Sequence, residues 1–378
     1  MDTIISCVLM LFLSLILYFS GLYVNKFSNN GIVFGVRVPK EYERCEEIKI
    51  LEKKYKKAYI MSILPCTILL NFIVFIIPKL YIFLIATFLL LVLVNIPVII
   101  YWKKLSELKK EKKWGKLGKN VVVVDTSIRK PKNNEDIASI KNKHFLLLIV
   151  VPIINMILTL IYYKNVPDIF PIHFNSSGIA DRFASKSGLL GLINLMMLPL
   201  MEIIMILFFM TINKFAINGK VDINSGTLSE IKEQRKIFKV YNSFFLYSIL
   251  IEIVILFSLI QFSIIYSWSS NTIKLISIIS LIIILFTVIV ITILGYKIGQ
   301  GGKNIKINKL DEEIYRDDDK NWILGNFYYN RNDPSIFVEK RIGIGWDVNL
   351  GNPIGMFIMI LPIILIIATI IYFFVKGI

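Results

Sequence analysis

Two glutamates lie inside apolar stretches of the chain, where a carboxyl group could take up a proton or contact a cation or a ligand. Glu202 is ten residues from Ile212, and Glu252 is nine residues from Ser243. At a rise of about 1.5 Å per residue in a helix, both would lie roughly 15 Å deep in a bilayer. Because an ionised carboxylate is costly there, the two side chains could face each other and share a proton. A functional protonatable site and a structural clamp between helices both stay open.

The short loop 166–186 holds a second group of side chains that could contact a ligand. Pro171 favours an extended entry, and the segment from Asn175 to Gly178 has the composition of a tight turn. The candidate ligand contacts in this loop are Pro171, His173, Asn175, Gly178, Asp181 and Lys186. Since a metal site usually needs several His or Cys ligands and this loop has one, we expect His173 to bond Asp181 or a turn carbonyl instead.

The remaining motifs do not support catalysis or a bound cofactor. Gly299-Gln300-Gly301-Gly302-Lys303 resembles a phosphate-binding loop, but it lacks the first glycine and the Ser or Thr that should follow the lysine. The chain has no H-E-x-x-H or G-x-S-x-G motif. The acidic run 317–319 is expected to be a solvated loop or a helix start. We therefore expect a protein that is not an enzyme and that holds no cofactor and no metal.

Eight long apolar stretches must position these side chains. The hydrophobic fraction is 56%, the mean hydropathy is +0.67 and the formal net charge is +16. A soluble domain could not bury so much apolar surface, so the composition predicts an all-α integral membrane protein of about eight transmembrane helices. The expected spans are Ile4–Val24, Tyr59–Ile77, Leu80–Trp102, Phe145–Tyr163, Leu189–Ile212, Ser243–Tyr266, Ile273–Tyr296 and Gly355–Phe374.

The basic residues predict the orientation. The connections 26–57, 103–143, 214–239 and 297–341 carry 9, 13, 6 and 9 of the 43 Lys and Arg residues. Because basic loops stay in the cytoplasm, these four connections should lie inside a bacterial cytoplasmic membrane, with both termini and the 166–186 loop outside. The partner of this charge is expected to be the anionic lipid of the bilayer and not nucleic acid.

Three segments on the expected cytoplasmic side have the composition of β-strands. They are 32–39, 121–127 and 317–350. Since an isolated hairpin is only marginally stable, we expect them to pair into one small cytoplasmic β-element. The alternative is that each is an ordered loop packed on its own helix ends.

The expected organisation has five parts. The first, 1–143, contains three spans and two basic loops, and the second, 144–212, contains two spans around the external loop. A basic loop with the sixth and seventh spans forms 213–296. A cytoplasmic β-hairpin module forms 297–353, and the last span forms 354–378.

Two parts of the chain resemble uncharacterised modules. The motif Pro-Ile-His-Phe-Asn at 171–175, with Gly178, Asp181 and Lys186, resembles a short domain of unknown function in bacterial membrane proteins. That domain also occurs in the SdpI-type immunity proteins, which protect producers of a secreted peptide toxin. The segment 318–353 resembles a second module, found at the C-terminal side of a subset of that family. The residues that carry the second resemblance are Asp318, Trp322, Gly325, Tyr329, Asp333, Arg341, Gly345 and Trp346.

The resemblance implies an immunity or signal-response role without catalytic residues. The expected function is to bind a membrane-active peptide toxin or another envelope ligand at the external loop. A cytoplasmic regulator is the expected partner of the inner β-element. One alternative is a proton-coupled permease that uses Glu202 and Glu252. The other is a membrane anchor for a cytoplasmic regulator, bound through the strands and Trp346.

Overall fold

Helices dominate the computed structural model, which describes residues 3–117, 140–175, 179–218, 225–307 and 313–376. Eight helical segments within these ranges are long and apolar enough to cross a membrane, and each coincides with one expected span. The chain therefore has the build of a multi-pass membrane protein. The helices are α1 (Thr3–Leu22), the short α2 (Val24–Phe27), α3 (Glu46–Ile76), α4 (Leu80–Glu111), α5 (Asn142–Leu147), α6 (Val150–Ile161), α7 (Gly188–Asn218), α8 (Leu228–Ile265), α9 (Ser270–Ile298) and α10 (Pro353–Lys376).

Some helices are longer than the apolar spans expected from the sequence, and one expected span is interrupted. The local sequence explains both. Helix α3 begins with Glu46 and Glu47, whose carboxylates suit the positive end of the helix dipole. Helices α5 and α6 are separated at residues 148–149, because Pro152 has no amide hydrogen to donate to the carbonyl of Leu148. The expected fourth span is therefore a helix pair.

The chain divides into two compact units. The first contains Met1–Asp136, Asn218–Phe238 and Gly295–Ile378, and the second contains Ile137–Ile217 and Lys239–Leu294. Helices α8 and α9 each contribute residues to both units.

The strands of the first unit form separate two-stranded antiparallel pairs. In the described part of the chain, β1 (Ile32–Val33) pairs with β2 (Val36–Arg37), and β5 (Ser225–Thr227) pairs with β6 (Glu313–Tyr315). Two further pairs join β7 (Trp322–Ile323) to β8 (Phe327–Tyr328) and β9 (Phe337–Glu339) to β10 (Trp346–Val348).

The expected single β-element is therefore wrong for segments 32–39 and 317–350. Segment 121–127 lies outside the described residues. The strands have only two or three residues each. Tight turns close β1–β2 and β7–β8, and the six-residue loop 340–345 joins β9 to β10. Phe34 (φ +47°) and Gly35 (φ +80°) form the turn between β1 and β2. Segments 32–39 and 317–350 contact each other through side chains and single backbone atoms, and not through the hydrogen bonds of a shared β-sheet.

The second unit contains α5, α6, most of α7 and parts of α8 and α9. It also holds a longer hairpin, formed by β3 (Ile169–Phe174) and β4 (Ala180–Ser185), between α6 and α7. Buried side chains from α5, α7 and α8 form one core, with Phe145, Ile206 and Leu250 fully enclosed.

Candidate functional site

The β3–β4 hairpin is fixed to the helix ends beneath it by one buried aromatic ring. Phe170 is fully buried against Val166, Leu195 and Ile264. The neighbouring register pairs Phe170 with Ala184 and Pro171 with Phe183, and an irregularity follows near His173. This packing holds the first half of β3 and the second half of β4 in place.

Lys186 closes the base of the hairpin. Its ammonium donates a hydrogen bond to the carbonyl of Val166 at 2.7 Å and lies 4.7 Å from the ring centroid of Tyr163. Its backbone amide donates to the carbonyl of Asp168 at 2.7 Å, and its own carbonyl accepts from the Tyr163 hydroxyl at 2.9 Å. Lys186 is therefore a structural tie in this conformation.

The predicted contact of His173 with Asp181 is present. Nδ1 of His173 lies 2.5 Å from Oδ1 of Asp181, and both side chains are a little under half exposed. The side chain of Asn175 accepts a hydrogen bond from the amide of Ile179 at 3.0 Å, which closes the turn side of the hairpin. Gly178 lies outside the described residues. The hairpin thus presents an accessible imidazole–carboxylate pair.

Large apolar side chains are exposed on the same hairpin. Ile169, Ile172, Ile179 and Phe183 are each between 48% and 66% exposed. The surface combines these groups with the His173–Asp181 pair, so it is amphipathic. Large apolar side chains exposed together on one hairpin are candidates for contact with a membrane or a partner.

Glu202 lies in a buried polar cluster between α6, α7 and α8. The amide of Asn155 donates to its two carboxyl oxygens at 3.3 and 3.2 Å, and the Ser258 hydroxyl lies 3.4 Å from Oε1. The same Asn155 amide donates to Ser258 at 2.8 Å. Glu202 is fully buried by these neighbours.

The expected pairing of Glu202 with Glu252 is not found. The partner of Glu252 is the hydroxyl of Thr287 on α9, and its second carboxyl oxygen has no hydrogen-bond partner among the described residues. Each acid therefore has its own polar neighbours, because Asn155 and Ser258 take the positions next to Glu202.

An ion network in the first unit joins segments that are far apart in sequence. Arg341 bonds Asp318 and, at 2.6 Å, Asp319. Asp318 also accepts from Arg37 at 2.7 Å. Lys109 of α4 bonds Asp319 at 2.6 Å and Asp317 at 2.8 Å. Of the two expectations for 317–319, the solvated loop is wrong, because three cations neutralise its three carboxylates. The helix start is found, because a short 3-10 helix runs from Asp319 to Asn321 with Asp318 at its N-cap.

The three cations of the network are buried and its three carboxylates are partly buried, which shifts the pKa of Asp318. Burial by itself raises the pKa of Asp318, but the charges of Arg37 and Arg341 outweigh burial and hold the pKa well below its usual range. The indole of Trp322 donates to Asp318 at 3.0 Å and lies under the Arg341 guanidinium, 4.8 Å from the ring centroid. The cluster is thus a closed contact between the strand module (residues 313–353) and the rest of its unit.

Two glycines let the module approach the β1–β2 turn. A Cβ atom on Gly35 would lie 2.6 Å from the carbonyl oxygen of Gly325, and one on Gly325 would lie 2.4 Å from Cδ1 of Trp102. The carbonyl of Gly35 also accepts from Arg341 at 2.8 Å. Gly325 therefore serves close packing in this structure.

The other module residues singled out from the sequence are placed within the module or against its own unit. The Tyr328 hydroxyl donates to Asp333 at 2.9 Å, and the Gln300 side chain holds the amide and carbonyl of Gly345 at 2.8 and 3.0 Å. Trp346 is half buried, with its ring 6.1 Å from that of Phe238. Tyr329 is 37% exposed.

The glycines of the apparent phosphate loop have a packing role. A Cβ on Gly301 would lie 2.4 Å from a guanidinium nitrogen of Arg235, and one on Gly302 would lie 2.3 Å from the carbonyl oxygen of Gln234. These glycines let the chain after α9 lie directly on α8. The described residues contain no group of three or more His, Cys, Asp or Glu that could hold a metal ion.

Models of two families match short parts of the chain. A domain of unknown function (DUF1648) matches residues 150–198, which contain α6, the β3–β4 hairpin and the start of α7. A family of unknown function (DUF5808) matches residues 331–356, which contain β9, β10 and the start of α10. No curated protein and no solved structure matches the chain. The two expected uncharacterised modules are thus found, and the relationship to SdpI-type immunity proteins stays a prediction.

Proposed function

We propose that this protein is a non-enzymatic membrane protein whose β3–β4 hairpin binds a membrane-active peptide or a similar envelope ligand, in an immunity or signal-response role. One observation carries the proposal. The hairpin is held rigidly from below by Phe170 and Lys186, while its apolar and charged side chains above stay accessible. In this proposal the hairpin faces outward from a bacterial cytoplasmic membrane.

The chemistry of the hairpin suits an amphipathic ligand. Ile172 and Phe183 offer apolar contact area, and aromatic anchors of this kind carry much of the binding energy in interfaces. His173, Asp181 and the exposed Arg182 add charged contacts beside them. A membrane-active peptide presents an apolar face next to a charged face at the bilayer surface, so it matches both features.

The apolar contacts are tested by measuring how well the protein protects a sensitive bacterium. Cells that express the protein are challenged with secreted membrane-active peptides, and the minimal inhibitory concentration is measured. Wild type should raise it for at least one peptide, and Phe183→Ser should remove the protection, since losing an anchor of about 2 kcal/mol weakens binding roughly 30-fold. Ile279→Ser, which changes an exposed apolar residue of α9, is the control. Unchanged sensitivity to every peptide tested would eliminate this function.

The charged pair has its own matched test. Asp181→Ala and His173→Ala should abolish protection while expression stays intact. Asp168→Ala removes the same charge from an exposed side chain next to the hairpin without touching the pair. Equal loss of protection in Asp168→Ala and Asp181→Ala would show that the His173–Asp181 contact has no specific role.

A second candidate function is proton-coupled transport, favoured by the buried carboxyl of Glu202. A transporter places such a group at the substrate or coupling-ion site near the middle of the membrane. In proteoliposomes with an inward proton gradient, a transported solute should dissipate the gradient in wild type and not in Glu202→Gln. Identical dissipation in both would exclude transport through this residue.

A further inference from the structure

The Glu202 carboxyl is enclosed by neutral donors only. Its contacts among the described residues are the amide of Asn155 and the hydroxyl of Ser258, at 3.2 to 3.4 Å. Neutral contacts of this length do not replace the hydration of an ionised carboxylate, whose burial without a counter-charge costs several kcal/mol. The site therefore requires a positive charge from outside the protein.

The surrounding helices supply no such charge. Residues 150–161 of α6 contain no charged side chain, and on α7 the nearest cation in sequence is Lys214, twelve residues away and roughly 18 Å along the helix. On α8 the nearest charged residue is another acid, Glu252, which bonds Thr287.

A second observation places an unsatisfied oxygen one helical turn along α6 and α8 from the Glu202 contacts. Gln261 is fully buried, and its amide nitrogen donates to the hydroxyl of Thr159 at 2.8 Å and to the carbonyl of Leu195 at 3.1 Å. Its side-chain oxygen has no hydrogen-bond partner among the described residues. Gln261 lies one turn from Ser258, and Thr159 lies one turn from Asn155. Hydroxyl and amide groups thus occupy adjoining turns of α6 and α8 next to the Glu202 carboxylate of α7.

We infer that this cluster binds one monovalent cation, a proton or a sodium ion, at the Glu202 carboxylate. Oxygen ligands suit hard cations, and coupling-ion sites for sodium or protons lie at this depth in membrane proteins. The inference does not depend on the hairpin ligand. It holds whether the ion is transported or is only structural, so a failed transport assay leaves it standing.

The test is the thermal stability of the purified full-length protein in detergent, measured at several pH values with sodium chloride or N-methylglucamine chloride at equal ionic strength. Removing both sodium and protons leaves the buried carboxylate uncompensated, so the melting temperature of wild type should fall at alkaline pH without sodium. If sodium restores it, the ion is sodium. If only acidification does, the ion is a proton.

Two variants decide between this site and a general effect of the medium. Glu202→Gln keeps the shape of the side chain and should lose the dependence. Glu252→Gln should keep it, because the Glu252 side chain is only partly buried whereas Glu202 is fully buried. An identical response of wild type and Glu202→Gln to both ions would overturn the inference. If Glu202→Gln does not fold, Ser258→Ala should shift the half-point of the ion dependence about tenfold in ion concentration, and no shift would overturn it equally.

Discussion

Replacing Arg341 with methionine should loosen the strand module from its unit. The buried Arg341 guanidinium contacts Asp318, lies 2.6 Å from Asp319 and 2.8 Å from the carbonyl oxygen of Gly35, and covers the ring of Trp322. Methionine retains much of the apolar stem and leaves the partly buried carboxylates of Asp318 and Asp319 with one cation fewer each. Breaking a buried ion pair from one side costs about 3–5 kcal/mol.

Amide hydrogen exchange in β7 and β8 measures this loss directly, because it reports the free energy of local opening. A change of about 3–5 kcal/mol corresponds to exchange that is faster by roughly two to three and a half orders of magnitude. Arg331→Met is the matched control, since that exposed guanidinium lies over the Tyr329 ring at 5.8 Å and its loss should cost under about 0.5 kcal/mol. Equal exchange in the two variants would refute the argument that the ion network holds the module.

Three further outcomes are expected. Gly35→Ala should lower the free energy of local opening of the module by about 2 kcal/mol in the same exchange assay. The reason is that φ of Gly35 is +80° and the new Cβ would lie 2.6 Å from a carbonyl oxygen. The contribution of Asp318 to stability is complete above the pKa of an unfolded aspartate, about 3.9, and is lost as the pH falls towards its lower folded-state pKa. The change in Trp fluorescence on acidification should therefore be smaller in Asp318→Asn than in wild type. Phe170→Ala should cost about 3–5 kcal/mol and expose the hairpin to proteases, which limited proteolysis measures.

The helices were predictable because lipid imposes a simple rule on sequence. Each span is an apolar run, and hydropathy alone locates all eight. The contact between His173 and Asp181 was also predictable, because a hairpin turn brings residues eight positions apart together. Such features depend on local sequence, where few alternatives compete.

The polar clusters were not predictable, because their partners are distant in the chain. Arg37 and Asp318 are separated by 281 positions, and no local pattern relates them. The sequence marks Glu202 as exceptional, but the choice of Asn155 over Glu252 as its neighbour depends on how the helices rotate against each other. An acid in a span is visible in one sequence, whereas its hydrogen-bond partner depends on tertiary packing.

The claim that the β3–β4 hairpin receives the ligand is tested most directly by photo-cross-linking in living cells. A photoreactive amino acid replaces Phe183 in one variant and Phe286, an exposed residue of α9, in another. Both are exposed to a labelled membrane-active peptide against which the protein gives protection. The account predicts cross-linking from position 183 and not from position 286. Labelling from 286 alone, or equally from both positions, would contradict it.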